Sequence, residues 1–116
     1  MTAIFKYIDL SYLDQMCDGD QEMRQTMLRM ILQELPDEIQ KIPALCQQHN
    51  WSEVHAVSHK LKSTLSFVGN DNMTDINKKI EAGSKHQQND KNIGQLAESL
   101  LEALPNVMAD LKKAMS

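Results

Sequence analysis

Two of the four histidines in this 116-residue chain, His55 and His59, are spaced so that one helical face would carry both. One turn either side of His59 lie His55, Ala56, Lys62 and Ser63, with Ser52 and Ser66 farther along the same face. Most of these neighbours are small, where a surface helix usually carries long charged side chains, so an imidazole here is sterically open. Neutral imidazole, with a reference pKa of about 6.5, is a competent nucleophile at cell pH and can attack phosphorus through one ring nitrogen. Lys62 can then balance the charge of the phosphoryl group. Two other readings compete. His59 is a plain solvated histidine, or the His55/His59 pair shares a zinc or copper ion. The metal reading lacks a third ligand: there is no His-Glu-x-x-His motif, and His49 and His86 sit in other segments. No metal site is expected.

The element that must position His59 is a helix from Trp51 to about Val68, opened by an Asn50/Glu53 pattern that resembles a capping box and stopped by Gly69-Asn70. On a helical wheel Val54, Val57, Leu61, Leu65 and Val68 fall within about 40° of one line, the buried stripe. His59 falls about 160° from it and should face solvent.

The remaining segments also repeat apolar residues every three or four positions. Ile4, Phe5, Ile8, Tyr12, Leu13 and Met16 give a short helical segment with a break near Asp9, ended by Asp18-Gly19-Asp20. From Asp20, a good N-cap, the stripe Met23, Met27, Met30, Ile31, Leu35, Ile39, Ile42 and Cys46 predicts a second helix ending between Gln48 and Asn50. Pro36 and Pro43 lie within it, so a kink or restart is expected near Leu35. A weaker helix, from about Asn72 to Gln87, offers Met73, Ile76 and Ile80 as core residues, and the polar run from Ser84 to Asn92 reads as a loop. Ile93, Leu96, Leu100, Leu104, Val107, Leu111 and Met115 mark a last amphipathic helix bent at Pro105. Four such helices joined by short turns bury their stripes most simply against one another. The expected fold is all-α, an antiparallel up-down four-helix bundle with a short N-terminal helical segment, forming one domain over residues 1–116.

Bulk properties narrow the function. A net charge of −4 argues against nucleic acid as the main partner, because neutralising phosphates needs a basic surface. No run of about 18 apolar residues and no signal-peptide core is visible, which predicts a cytoplasmic protein without membrane attachment. Cys17 and Cys46 read as reduced core residues, and the eight methionines mainly as fillers of core gaps.

The string Ser58-His59-Lys60-Leu61-Lys62-Ser63, continuing to Phe67-Val68-Gly69, resembles the pattern of histidine-phosphotransfer (HPt) domains. In that family a histidine is followed by any residue, Leu, Lys and a small residue, with a glycine closing the helix. Asp9-Leu10, Leu13, Asp18-Gly19-Asp20 and Asn50-Trp51 extend the likeness over essentially the whole chain.

The resemblance implies a phosphorelay intermediate in which His59 accepts a phosphoryl group from a receiver-domain aspartate and passes it to another receiver. Lys62 would contact the phosphoryl group, Ser63 would keep the imidazole accessible, and Lys60 would help dock the acidic receiver. Ala56, His55 and Ser66 would complete the docking face. The chain departs from the family in having Ser63 where many members have Gly, and Glu81 best matches a position often held by an imidazole-orienting Gln. Partners would be response-regulator receivers and the receiver domain of a hybrid sensor kinase, with this chain a monomer. No cofactor is expected, Mg²⁺ belonging to the receiver, and no kinase activity, since no ATP-binding pattern is present. The alternative is a helical adaptor that binds two-component proteins without accepting phosphate.

Overall fold

The computed structural model describes residues 5–85 and 91–115. Five helices follow one another: α1 (Ser11–Cys17), α2 (Gln21–Gln47), α3 (Trp51–Val68), α4 (Asp71–Lys85) and α5 (Lys91–Met115). No strand occurs among the described residues. Helices α2 to α5 form a closed ring in which α2 and α4 each pack against α3 and α5 as neighbours. The turns of a few residues between α2 and α3, and between α3 and α4, make these neighbours antiparallel. The result is the expected four-helix bundle, 47 Å long and about 20 Å across, with α1 lying over α2 and α3. No described helix is long and apolar enough to cross a membrane.

Helix α2 begins where Asp20 accepts a hydrogen bond from the Met23 amide at 3.0 Å. It then runs unbroken through Pro36 and Pro43, so the restart expected near Leu35 does not occur. Each proline removes only one amide donor, and the fully buried Leu35, Ile39 and Ile42 hold that stretch against the core. The buried line of α2 is Leu28, Ile31, Leu35, Ile39, Ile42 and Cys46. Met23 and Met30, expected on it, are instead 45% and 51% exposed, because they lie roughly 140–160° around the helix from Leu28. Met16 is similarly out in solvent, whereas Met73 is fully buried and Met27 and Met108 pack against the core. Both cysteines are buried and free.

The first segment is shorter as a helix than its spacing predicts. Ile4 lies outside the described residues, and the chain from Phe5 to Leu10 is not helical, its backbone groups finding partners elsewhere. The Tyr7 amide donates to the Asp110 carboxylate (2.9 Å), the Asp9 amide to the Val68 carbonyl (2.9 Å), and Asn70 Nδ2 to the Tyr7 carbonyl (2.7 Å). This strap crosses the end of α3 so closely that a Cβ on Gly69, the α3 cap at φ 72°, would run into the Asp9 carbonyl. A glycine is therefore required twice, by backbone sign and by space.

At the other end of α3 the expected capping box is not formed. Asn50 Oδ1 accepts from the Ser52 hydroxyl at 3.3 Å and makes no bond to the helix backbone. Asn70 does cap α4, accepting from the Met73 amide at 2.9 Å. Ser84 and Lys85, where the expected helix and the expected loop overlap, continue α4, while Lys91 and Asn92, expected as loop and at its edge, open α5; the rest of that polar run lies outside the described residues. Helix α5 is likewise unbroken at Pro105.

Candidate functional site

Helix α3 turns its apolar residues inward as its spacing requires: Val54, Leu61 and Val68 are fully buried, Leu65 nearly so, and Val57 half-buried. His59 consequently projects from the opposite face with 69% of its side chain exposed. Ala56, Lys60, Lys62, Ser63 and Ser66 are exposed around it, and His55 is half-buried. Apart from the His55 ring and the flexible Lys60 and Lys62, α3 places only small side chains around it.

The face is completed by α4. Glu81 Oε2 lies 3.4 Å from His59 Nδ1, and Glu81 Oε1 lies 3.7 Å from Lys62 Nζ. Both distances are longer than a closed hydrogen bond, so the carboxylate sits between the imidazole and the ammonium as an electrostatic bridge. Glu81 Oε2 is itself shielded from solvent and makes no hydrogen bond. The main-chain carbonyl of the same residue is 3.1 Å from His55 Nδ1. The ring of His55 thereby leans against α4, stacked at 6.3 Å on the ring of His59. One residue of α4 thus lies against His55, His59 and Lys62 together.

What sets this register is a buried polar pair that spacing alone did not reveal. The Ser58 hydroxyl donates to Asn77 Oδ1 at 2.7 Å, and Asn77 Nδ2 donates back to the Ser58 carbonyl at 3.0 Å. Ser58 is fully buried and Asn77 nearly so. The available signal was the stripe of α4: Met73, Asn77, Ile80 and Ser84 are its buried residues, and their three- and four-residue steps demand a polar residue at two of the four places. Ile76, expected in that core, is only partly buried.

Lys60 points to the other flank. Its Nζ lies 3.5 Å from Oε1 of Glu38 on α2, a carboxylate only 4% exposed whose two oxygens have no hydrogen bond. Burial pushes the Glu38 carboxyl up from its ordinary value, and Lys60 opposes that rise. Neither partner was paired in advance, because Glu38 stands among Pro36, Asp37 and Gln40 in a stretch that looks solvated. Among the described residues no group of three His, Cys, Asp or Glu side chains could hold a metal ion.

The model of the Hpt domain family matches residues 26–114, roughly three-quarters of the chain, and His59, Lys62, Asn77 and Glu81 all fall inside the match. The chain belongs to the Hpt domain family. No curated protein and no solved structure matches the chain. Hpt domains are helical phosphocarrier modules of two-component phosphorelays and interact with receiver domains, which gives this exposed, cation-flanked imidazole a chemical context. The Hpt domain described here differs from a bare surface histidine in that a carboxylate, held in register by Ser58 and Asn77, stands against the ring.

Proposed function

We propose that His59 is the phospho-accepting residue of a phosphorelay intermediate, taking the group from a receiver-domain aspartate and handing it to a second receiver. The observation that carries this reading is the open imidazole of His59, with Lys62 one turn further along α3 and Glu81 Oε2 3.4 Å from Nδ1. A ring whose Nδ1 carries the proton toward Glu81 leaves Nε2 as the nucleophile. In the transfer, the Nε2 lone pair forms the N–P bond, the P–O bond of the aspartyl phosphate breaks, and its electron pair returns to the receiver carboxylate. The reverse steps discharge the carrier onto the next receiver.

Each neighbour has a role in this scheme. Lys62 neutralises phosphoryl charge, Ser63 and Ala56 leave room for the incoming group, and Glu81 orients the ring. His55, Lys60 and Ser66 frame the surface on which the receiver rests. Positioning and charge stabilisation dominate phosphoryl transfer, so the module needs no cofactor beyond the Mg²⁺ held by the receiver, and no kinase activity of its own. A cytoplasmic monomer meeting response regulators and a hybrid-kinase receiver in transient encounters completes the reading.

The test is incubation with a receiver phosphorylated on its aspartate. An acid-labile, base-stable label on the wild type and none on His59→Ala supports the carrier. Stable receiver binding with no label on either protein points to the adaptor instead.

A further inference from the structure

The position of Glu81 has a consequence for the phosphorylated state. A carboxylate beside a phospho-accepting histidine is costly, since it stands close to where a doubly charged group must form. In the unphosphorylated protein it is balanced on both sides, by His59 Nδ1 at 3.4 Å and Lys62 Nζ at 3.7 Å. A phosphoryl group on Nε2 competes for the same ammonium. Lys62 is long, 58% exposed and not locked by a closed hydrogen bond, so it can swing from Glu81 to the phosphoryl oxygens. Glu81 is more confined than Lys62, with its side chain 24% exposed, its Oε2 shielded from solvent and the helix beneath it pinned one turn earlier by Asn77 and Ser58.

We propose that Glu81 is a positioning residue that makes phospho-His59 short-lived, so that the domain is poised to discharge rather than to store phosphate. This rests on His59 being the phosphorylated residue. Two effects act in the same direction. The carboxylate repels the phosphoryl group, raising the energy of the phosphorylated state. It also stabilises positive charge on the ring through Nδ1–H, and an imidazolium is the better leaving group when the N–P bond breaks and Nε2 recovers its electron pair. A glutamine at this position would present its amide oxygen toward Nδ1–H without the charge. Charge and orientation are therefore separable at this residue.

The experiment uses the full chain with phosphoramidate as donor: Nε2 displaces ammonia, which takes up a proton on leaving, and the N–P bond to His59 forms. After the donor is removed, loss of phosphohistidine to water is followed by ³¹P NMR. Glu81→Gln should lengthen the lifetime by about three- to tenfold at low salt, and the gap should narrow toward about 1 M salt as charges are screened. Ring ¹⁵N shifts of the unphosphorylated proteins should report the same dominant Nδ1–H tautomer in wild type and Glu81→Gln, and a mixture in Glu81→Ala. Should Glu81→Gln fold poorly, the salt dependence of the wild-type lifetime, which should rise with salt, carries the test alone. Equal lifetimes, a shorter lifetime in Glu81→Gln, or a lifetime indifferent to salt overturn the proposal while leaving His59 as the acceptor. A wild type that takes no label from phosphoramidate or from a charged receiver removes the carrier reading and this one with it.

Discussion

Ser58 and Asn77 exchange hydrogen bonds across the seam between α3 and α4, and each adjoins the site, Ser58 preceding His59 and Asn77 standing one turn before Glu81. The pair converts two helices that could slide along a greasy interface into two helices with one setting. Breaking one partner strands the other away from water. Ser58→Ala or Asn77→Ala should each cost about 1–3 kcal/mol in urea denaturation, and the double variant should cost less than the sum. Strict additivity would show that the two bonds act independently.

His59 and Lys62 project outward, so neither holds the bundle together. His59→Gln should leave the unfolding free energy within about 0.5 kcal/mol of wild type while abolishing phosphoryl uptake. Lys62→Ala should also fold normally but slow transfer from a charged receiver by roughly tenfold to a hundredfold, less than the loss of a preorganised, water-excluded donor because the ammonium is exposed. Transfer rates unchanged in Lys62→Ala would remove that residue from the scheme.

Glu38 should make stability depend on pH. Its folded carboxyl titrates above the ordinary value of 4.5, with burial the larger cause and Lys60 the opposing one. The folded state therefore holds the proton more tightly than the unfolded chain. The resulting stabilisation is fully present below 4.5 and fades as pH rises through the raised folded value. At neutral pH the charged, unbonded carboxylate is a liability, so Glu38→Leu should raise the urea midpoint there by the equivalent of about 1–2 kcal/mol. That advantage should shrink when the comparison is repeated near pH 4.

Gly69 is placed where a side chain meets both a left-handed backbone and the Asp9 carbonyl. Gly69→Ala should destabilise the domain by about 2–4 kcal/mol, more than a C-cap substitution in open space. Gly19, at φ 85° with nothing within 4 Å of the added atom, is the control: its alanine variant should cost only the backbone strain, about 1 kcal/mol.

The exposure of His59 was legible because Val54, Leu61, Leu65 and Val68 form a stripe regular enough to orient the whole of α3, and an orientation fixed on one side is fixed on the other. The bundle followed from the same periodicity. The partners across the helix seams were not legible in that way. Glu38, Ser58 and Asn77 each fall on the buried stripe of their own helix, three or four residues from Leu35 and Ile42, Val54 and Leu61, and Met73 and Ile80. Which side chain each meets across a seam is a property of pairs that no single stripe contains. Met23 and Met30 misled for the reverse reason, being apolar residues that fall on the solvent side once Leu28 and Ile31 define the inner face of α2. The Asn50/Glu53 pattern failed because Asn50 bonds to the Ser52 hydroxyl instead.

The family model matches from residue 26, yet the strap residues Tyr7 and Asp9, which bond to Asp110 and Val68, lie before it, as does the ion pair of Asp14 with Arg24 at 2.6 Å. A fragment trimmed to the shared span would lose the clasp joining the first turn of the polypeptide to its last helix. Apolar surface now sheltered by Leu10 and Leu13 would be laid bare. Such a fragment should self-associate, read out as a larger hydrodynamic radius than that of the full chain.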